Sequence, residues 1–538
     1  MFRYLIVFSV LTLFLQATIT LRQISTKPTS RAKDFLIWQY LKQNISDKQA
    51  EKAYAQSTKK NYKLKKLYNK RSKDPYILYK KKCQKKRNLF SIDDKKCFKL
   101  ALSPYKTLAM NNKQREKLSK KVDSQKFITL LKIQSEPYSV KAYKKYPADT
   151  ILKMFINTTS SHRKKNLNIK LDKKFINKLA SSNKIHYFIR MVIKKNSLDK
   201  LQKSLLLLDS PKLKAQDNFF LALHHLKFKD KKGAIQHLNV ARLKYKQAIN
   251  VDKTNFWLYQ ISNKKRYLDR LVLSHDINIY TLYANEKTKT KVKNYYFSLD
   301  TNSTASKIDI QDPFKWDKLR QKIKKTPKAK LIKLANSYKQ NSMLPIQSYI
   351  IEKASSFKKH GYIMPYEKYL EGVSDNEKAL VYAIMRQESH FIPSALSRSF
   401  ALGLMQMMPF LVDAMSKQRR EKVSYDDMFK PEMSIKYALA HLEWMKKSLY
   451  HPLFTAYGYN GGVNFLRKHL KTGAFSKGKY EPFLSMELMS NSESREYGKK
   501  VLANYVMYKK ILGESISIIH LFQTLTDPKK TDRFRAKT

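Results

Sequence analysis

Glycine and proline are scarce in this chain: 538 residues carry only 11 Gly and 16 Pro. Turn-rich β architectures need such residues at their hairpins, so the shortage disfavours them. Leu, Lys, Ala, Gln and Met recur at helical spacing instead, and an all-α fold is expected. Cysteine is scarcer still, with Cys83 and Cys97 the whole complement. Two such ligands do not make a metal site, and the histidines show no His-Glu-x-x-His spacing, so neither metal nor cofactor is implied. In an oxidising compartment Cys83 and Cys97 read as a disulfide closing a short loop; two separate buried thiols are the other reading.

Acidic residues are also few. There are 42 Asp and Glu against 109 Lys and Arg, a formal charge of +67. The excess is uneven: residues 371–520 hold 21 basic and 15 acidic side chains, and nearly all the rest lies outside that stretch. Such a field attracts polyanions, either wall carboxylates or an anionic membrane surface. A lysine-biased composition with solvated helix faces is the blander reading. Nucleic acid is not expected, because no recognition motif is present and the N-terminus reads as an export signal. Arg3 supplies its positive start and Tyr4 to Ala17 its apolar run, which is short for a membrane span. Residues 1–22 are therefore expected to direct the chain to the periplasm, with an uncleaved anchor as the alternative. No Cys lies nearby to carry a lipid.

Residues 23–350 read as successive helices. Ala32 to Leu41 carries Phe35, Trp38 and Leu41 on one face. Asn218 to Tyr245 is the clearest helical hairpin, with Phe219, Phe220, Leu223 and Leu226 on its first arm and Asp230 to Gly233 at its turn. This is the texture of an α-superhelix, a solenoid of helix pairs. Asp312 to Pro327 reads as a connection with a helix inside it. A second domain is expected over 351–515, followed by a C-terminal tail over 516–538. That tail holds a short apolar helix from Ile516 to Leu525 and a basic end, Lys529 to Thr538, expected to be disordered.

The chemistry centres on Leu380 to Pro409. Val381, Ile384 and Glu388 share one helical face, which puts a carboxyl on an apolar stripe. Desolvation disfavours its charged form, and a protonated carboxyl near neutral pH is what a general acid needs. A half-exposed Glu at a helix end, doing nothing, is the alternative from this stretch alone.

Three ordered blocks weigh against that alternative. Glu388-Ser389, Ser397 and Gly403-Leu404-Met405-Gln406-Met407-Met408-Pro409 form the first. Tyr459-Asn460-Gly461-Gly462 is the second, and Glu487 with Glu493-Ser494-Arg495 and Tyr497 the third. Together they resemble the lysozyme-like catalytic domain of the soluble lytic murein transglycosylases, a family that often carries an α-superhelix before it. The resemblance implies a peptidoglycan lyase with Glu388 as its single acid/base. It gives Ser397, Gln406, Met408, Tyr459, Asn460 and Glu487 substrate-binding roles, Glu487 at the cleft edge. It implies glycan strands as the partner of a monomer, and products ending in 1,6-anhydro-MurNAc. Phe400-Ala401-Leu402 departs from the family's Gly-Ala-x, so the loop there is expected to be reshaped. Two other readings stay open on this fold: a muramidase-type hydrolase, which needs a second carboxylate facing Glu388, and a non-catalytic wall-binding protein.

Overall fold

The computed structural model describes residues 19–301 and 308–536. The expected export segment, Tyr4 to Ala17, lies outside the described residues. Among the described residues no helix is long and apolar enough to cross a membrane. The fold is all-α. Among the described residues the one sheet is a two-residue parallel pairing of Tyr295–Tyr296 with His360–Gly361.

The chain divides into two compact units. One runs to Lys73, resumes over Val292–Gly473 and ends with the segment from Glu496 onward. The other comprises Asp74–Lys291 and Ala474–Arg495. The boundary expected near residue 350 falls inside the first of these, and residues 23–73 belong with it.

In the 74–291 unit each helix packs on its near neighbours in the chain. That is how a solenoid buries faces that single hairpins leave exposed. The hairpin expected at 218–245 is present as Ala215–Lys227 and Lys231–Lys244. Asp230 stops the first arm and starts the second, its Oδ1 accepting from the Gly233 amide at 2.8 Å. Phe219, Phe220, Leu223 and Leu226 are all buried, each contributing roughly 1.5–3 kcal/mol of apolar burial. Gly233 is required by close packing, since a Cβ there would lie 2.2 Å from His225 Nδ1.

Cys83 and Cys97 are bonded, so the two-thiol alternative is set aside. Both sit in the core with Leu89 and Ile92. The two lie 14 positions apart in sequence, and closing that loop restricts the unfolded chain by about 3 kcal/mol. Cys83→Ala/Cys97→Ala is expected to lower unfolding stability by about that amount. Urea titration with and without reductant checks it, because reductant should bring the wild type to the level of the variant.

The tail differs from expectation. Ile518–Thr524 and Pro528–Thr531 are helical, and the chain is tied down through Arg535. Asp532 is fully buried and receives Arg535 Nε at 2.9 Å, while the Tyr450 amide donates to the Thr531 carbonyl at 2.9 Å. A basic end with one buried acid inside it anchors itself, so composition alone misread it as disordered.

Candidate active site

The site is built on the Asp375–Ser389 helix of the first unit. Asp375 and Glu377 favour its positive end. Ala379 to Met385 are buried almost continuously. Its enclosure is held by polar contacts as well: Tyr382 Oη donates to the Pro365 carbonyl at 3.2 Å, and Asn504 Nδ2 to the Ala383 carbonyl at 3.2 Å. The helix stops where His390 and Phe391 take positive φ, +49° and +65°. Glu388 is thus fixed one residue before a sharp stop, half-buried at the end of a rigid element.

Glu388 lines a pocket of 230 Å³. Ser389 and His390, the 394–397 loop and Gln406 share its wall. Two further contributions come from far away in sequence: Arg31 and Ala32, and then Pro313, Trp316, Asp317 and Arg320. The expected connecting helix at 312–327 is the helix Pro313–Lys325, and it walls the pocket.

Ser397 and Gln406 both hold the loop. Ser397 Oγ accepts from the amides of Ser399 and Ala401, at 3.1 and 2.9 Å. Its hydroxyl proton remains for an outside acceptor. Gln406 Nε2 donates to the carbonyls of Ala395 and Gly403, at 2.9 and 2.8 Å, which leaves its oxygen as an acceptor. A donor and an acceptor therefore flank Glu388 in one pocket, a set suited to sugar hydroxyl and acetamido groups. Ser394 Oγ is a further polar group here, buried without a hydrogen-bond partner. Gln406→Ala should free both carbonyls and remove the acceptor. We expect a loss of about 1–3 kcal/mol of stability, seen in thermal melts.

Gly403 is required by the loop's shape. Its φ is +72°, and a Cβ would stand 1.8 Å from the Met428 carbonyl oxygen. Phe400 also takes positive φ, +60°, where a large side chain is strained. It is fully buried against Phe35 and Trp38, with ring centroids 5.3 and 5.6 Å away. Burial of the ring offsets the strain. Phe400 thereby locks the loop to the Arg31–Tyr40 helix. Arg31 Nη1 donating to the Leu396 carbonyl at 2.7 Å, and Lys63 Nζ to the Ser399 carbonyl at 2.8 Å, reinforce the junction.

Tyr459 Oη donates to the Met405 carbonyl at 2.7 Å. Burial, and then the nearby Glu388 carboxylate, raise its pKa well above the ordinary tyrosine value. Tyr497 behaves alike: burial first, then Glu388 and Tyr459, push its pKa well up. Two neutral tyrosines thus stand beside Glu388. Asn460 follows Tyr459 on the Pro452–Gly461 helix. Met408 caps the Pro409–Arg419 helix and is half-buried, while Met405 is wholly core. Neither methionine is part of the pocket wall.

Glu487 has a partner inside its own unit. It belongs to the other unit, is 2% exposed, and its Oε1 accepts from the Tyr280 hydroxyl. In this arrangement the carboxylate is engaged inside that unit's core.

Residues outside the sequence motifs hold the helix end. Glu352 is buried and takes Arg386 Nη2 at 2.6 Å, His390 Nδ1 at 3.1 Å and the Gly361 amide at 2.9 Å. Burial works against its charge, but Arg386 and then His390 outweigh it and hold its pKa down at about 2. Arg386 also donates to the Gly361 carbonyl at 2.8 Å and lies over the Tyr362 ring. This ion cluster straddles Glu388 on both sides in sequence. The sequence carries no sign of it beyond Arg386 itself, two positions before the motif.

The unit is helical apart from one two-residue strand pair, and its carboxyl stands at the end of a core helix over a pocket lined by amide and hydroxyl groups. The chain matches the family model described as Transglycosylase SLT domain over residues 366–481. It is 28% identical over 203 residues to the putative soluble lytic murein transglycosylase of Haemophilus influenzae, covering 37% of this chain and 33% of that protein. It is 26% identical over 231 residues to the soluble lytic murein transglycosylase of Escherichia coli K12, covering 42% and 34%. The match thus spans about a third of these curated relatives. The 70-kDa soluble lytic transglycosylase, solved with bulgecin A, shares the fold at 14% identity and a TM-score of 0.50, covering 92% of this chain and 88% of that one.

Proposed function

We propose that this chain is a periplasmic peptidoglycan lytic transglycosylase. It cuts the β-1,4 bond between MurNAc and GlcNAc with Glu388 as its one acid/base. Glu388 gives its proton to the glycosidic oxygen, so the bond from C1 of MurNAc breaks and GlcNAc leaves as the alcohol. The carboxylate then takes the proton of the C6 hydroxyl of the same MurNAc. That oxygen bonds to C1 and leaves a 1,6-anhydro end, with no water consumed. Ser397 and Gln406 hold the sugar; the Ser399 and Ala401 amides keep the first in place, and the Ala395 and Gly403 carbonyls the second. An attack from within the substrate gains the advantage of proximity and needs no second carboxylate to aim a water.

The observation that carries the reading is the pocket itself: Glu388, Ser397 and Gln406 share one small wall at the end of a rigid helix. One observation favours the hydrolase alternative, because Asp317 is a second carboxylate in that pocket. It is, however, bonded to Arg320 at 2.7 Å across one helical turn and is 14% exposed, which suits a structural role. Asp317→Asn separates the two. Transglycosylation should persist within a few-fold, whereas a hydrolase would lose about 10²-fold or more with its base or nucleophile removed. Mass spectrometry of digested peptidoglycan should show anhydro-muropeptides; reducing ends only would favour hydrolysis.

A further inference from the structure

A second cavity lies wholly in the unit made of Asp74–Lys291 and Ala474–Arg495. It has a volume of 550 Å³, and five of its eleven wall residues are lysine. Basic residues make up 109 of the chain's 538, so composition alone does not account for the concentration. The larger 880 Å³ cavity of the other unit has a single basic residue, Lys368, among its sixteen.

Lys229 and Lys231 come from the turn between the Ala215–Lys227 and Lys231–Lys244 helices; Lys477 and Lys479 come from the 476–481 loop. Both sides are held. Lys227 Nζ donates to Asn196 and Gln202 at 2.8 and 3.1 Å, and Tyr480 packs on the buried Trp257. Lys229 sits at φ +61° in its turn. The acids nearby are already engaged. Asp230 caps Gly233 and bonds His225, and Glu481 accepts from the Ser485 amide at 3.2 Å. Lys229, Lys231, Lys477 and Lys479 make no ion pair among the described residues. Four ammonium groups around one concavity repel one another, and an anion relieves that repulsion. The floor differs from the rim, since Leu226, Leu484 and Tyr480 are apolar surface. A bare phosphate has no use for such a floor.

We infer that this cavity binds a short peptide bearing two or more carboxylates and small apolar side chains. Building on the reading above, its source is the peptide stems of the wall polymer. A volume of this size is in the range of small-ligand sites and has room for a few residues. The site holds the substrate by its peptide, apart from the glycan pocket of Glu388.

The test is calorimetric titration of soluble stem peptides into Glu388→Gln protein, which cannot consume substrate. The comparison is a Lys229→Asn/Lys477→Gln/Lys479→Gln variant. Asn tolerates the left-handed turn position, and all three side chains are exposed. Binding should weaken about tenfold in the variant, and about as much when the peptide carboxylates are amidated. Carbodiimide coupling of bound peptide should label Lys477 or Lys479, a readout that does not depend on the variant folding. Equal binding by a folded variant, or coupling spread over other lysines, would overturn the inference. Displacement of the peptide by inorganic phosphate at equal concentration would also overturn it, leaving a general anion site. Failure here leaves glycan cleavage untouched, and peptide binding without anhydro products would sink the earlier reading alone.

Discussion

Glu388→Gln is expected to leave the fold intact and to slow glycan cleavage by on the order of 10³-fold. The amide matches the carboxyl in shape, and the position is half-buried, so stability should move by less than about 0.5 kcal/mol. What is lost is both proton transfers, because an amide can neither give a proton to the glycosidic oxygen nor take one from the C6 hydroxyl. The variant should still bind glycan, since Ser397 and Gln406 are untouched. Turbidity clearance of purified peptidoglycan measures the rate, and co-sedimentation measures the binding. Residual activity above a tenth of wild type would mean that another group, Asp317 first, carries the acid role.

Glu352→Gln should produce the largest loss of stability. It leaves Arg386 buried without its carboxylate while keeping an acceptor for the Gly361 amide. Removing one partner of a buried pair costs about 3–5 kcal/mol, on the order of 10 °C in Tm for a unit of this size. The pH dependence has a definite sign. The folded pKa of Glu352 is about 2 against an ordinary 4.5, so its contribution is present above about pH 4.5 and fades as pH falls towards 2. That contribution is roughly 3 kcal/mol. Melts between pH 2 and pH 6 should therefore be flatter for the variant than for wild type. An equally steep acid loss in both would show that Glu352 is not the group responsible.

The helical fold and the core of the site were legible in the sequence, for separate physical reasons. Helix content follows from periodicity and from the shortage of glycine, both local properties. Glu388, Gly403 and Gln406 lie within nineteen consecutive residues, and their loop needs a glycine where φ is +72°. The pocket's other wall was not legible, because Arg31, Asp317 and Arg320 arrive from distant stretches that carry no motif. Nor was the partner of Phe400. Its burial against Phe35 and Trp38 joins residues more than three hundred and fifty apart. Glu352 escaped for the same reason, being an ordinary Glu on an ordinary helix until Arg386 and His390 meet it. Nor was the partner of Glu487 legible, since Tyr280 meets its carboxylate from more than two hundred residues away.

The central claim is that one carboxyl suffices because the attacking oxygen belongs to the substrate. Digestion of purified peptidoglycan in oxygen-18-labelled water tests it most directly. The released MurNAc ends should carry no label and should have the anhydro mass. Labelled reducing ends formed by the wild type and lost in Asp317→Asn would contradict it, and would make Glu388 and Asp317 the two carboxyls of a hydrolase.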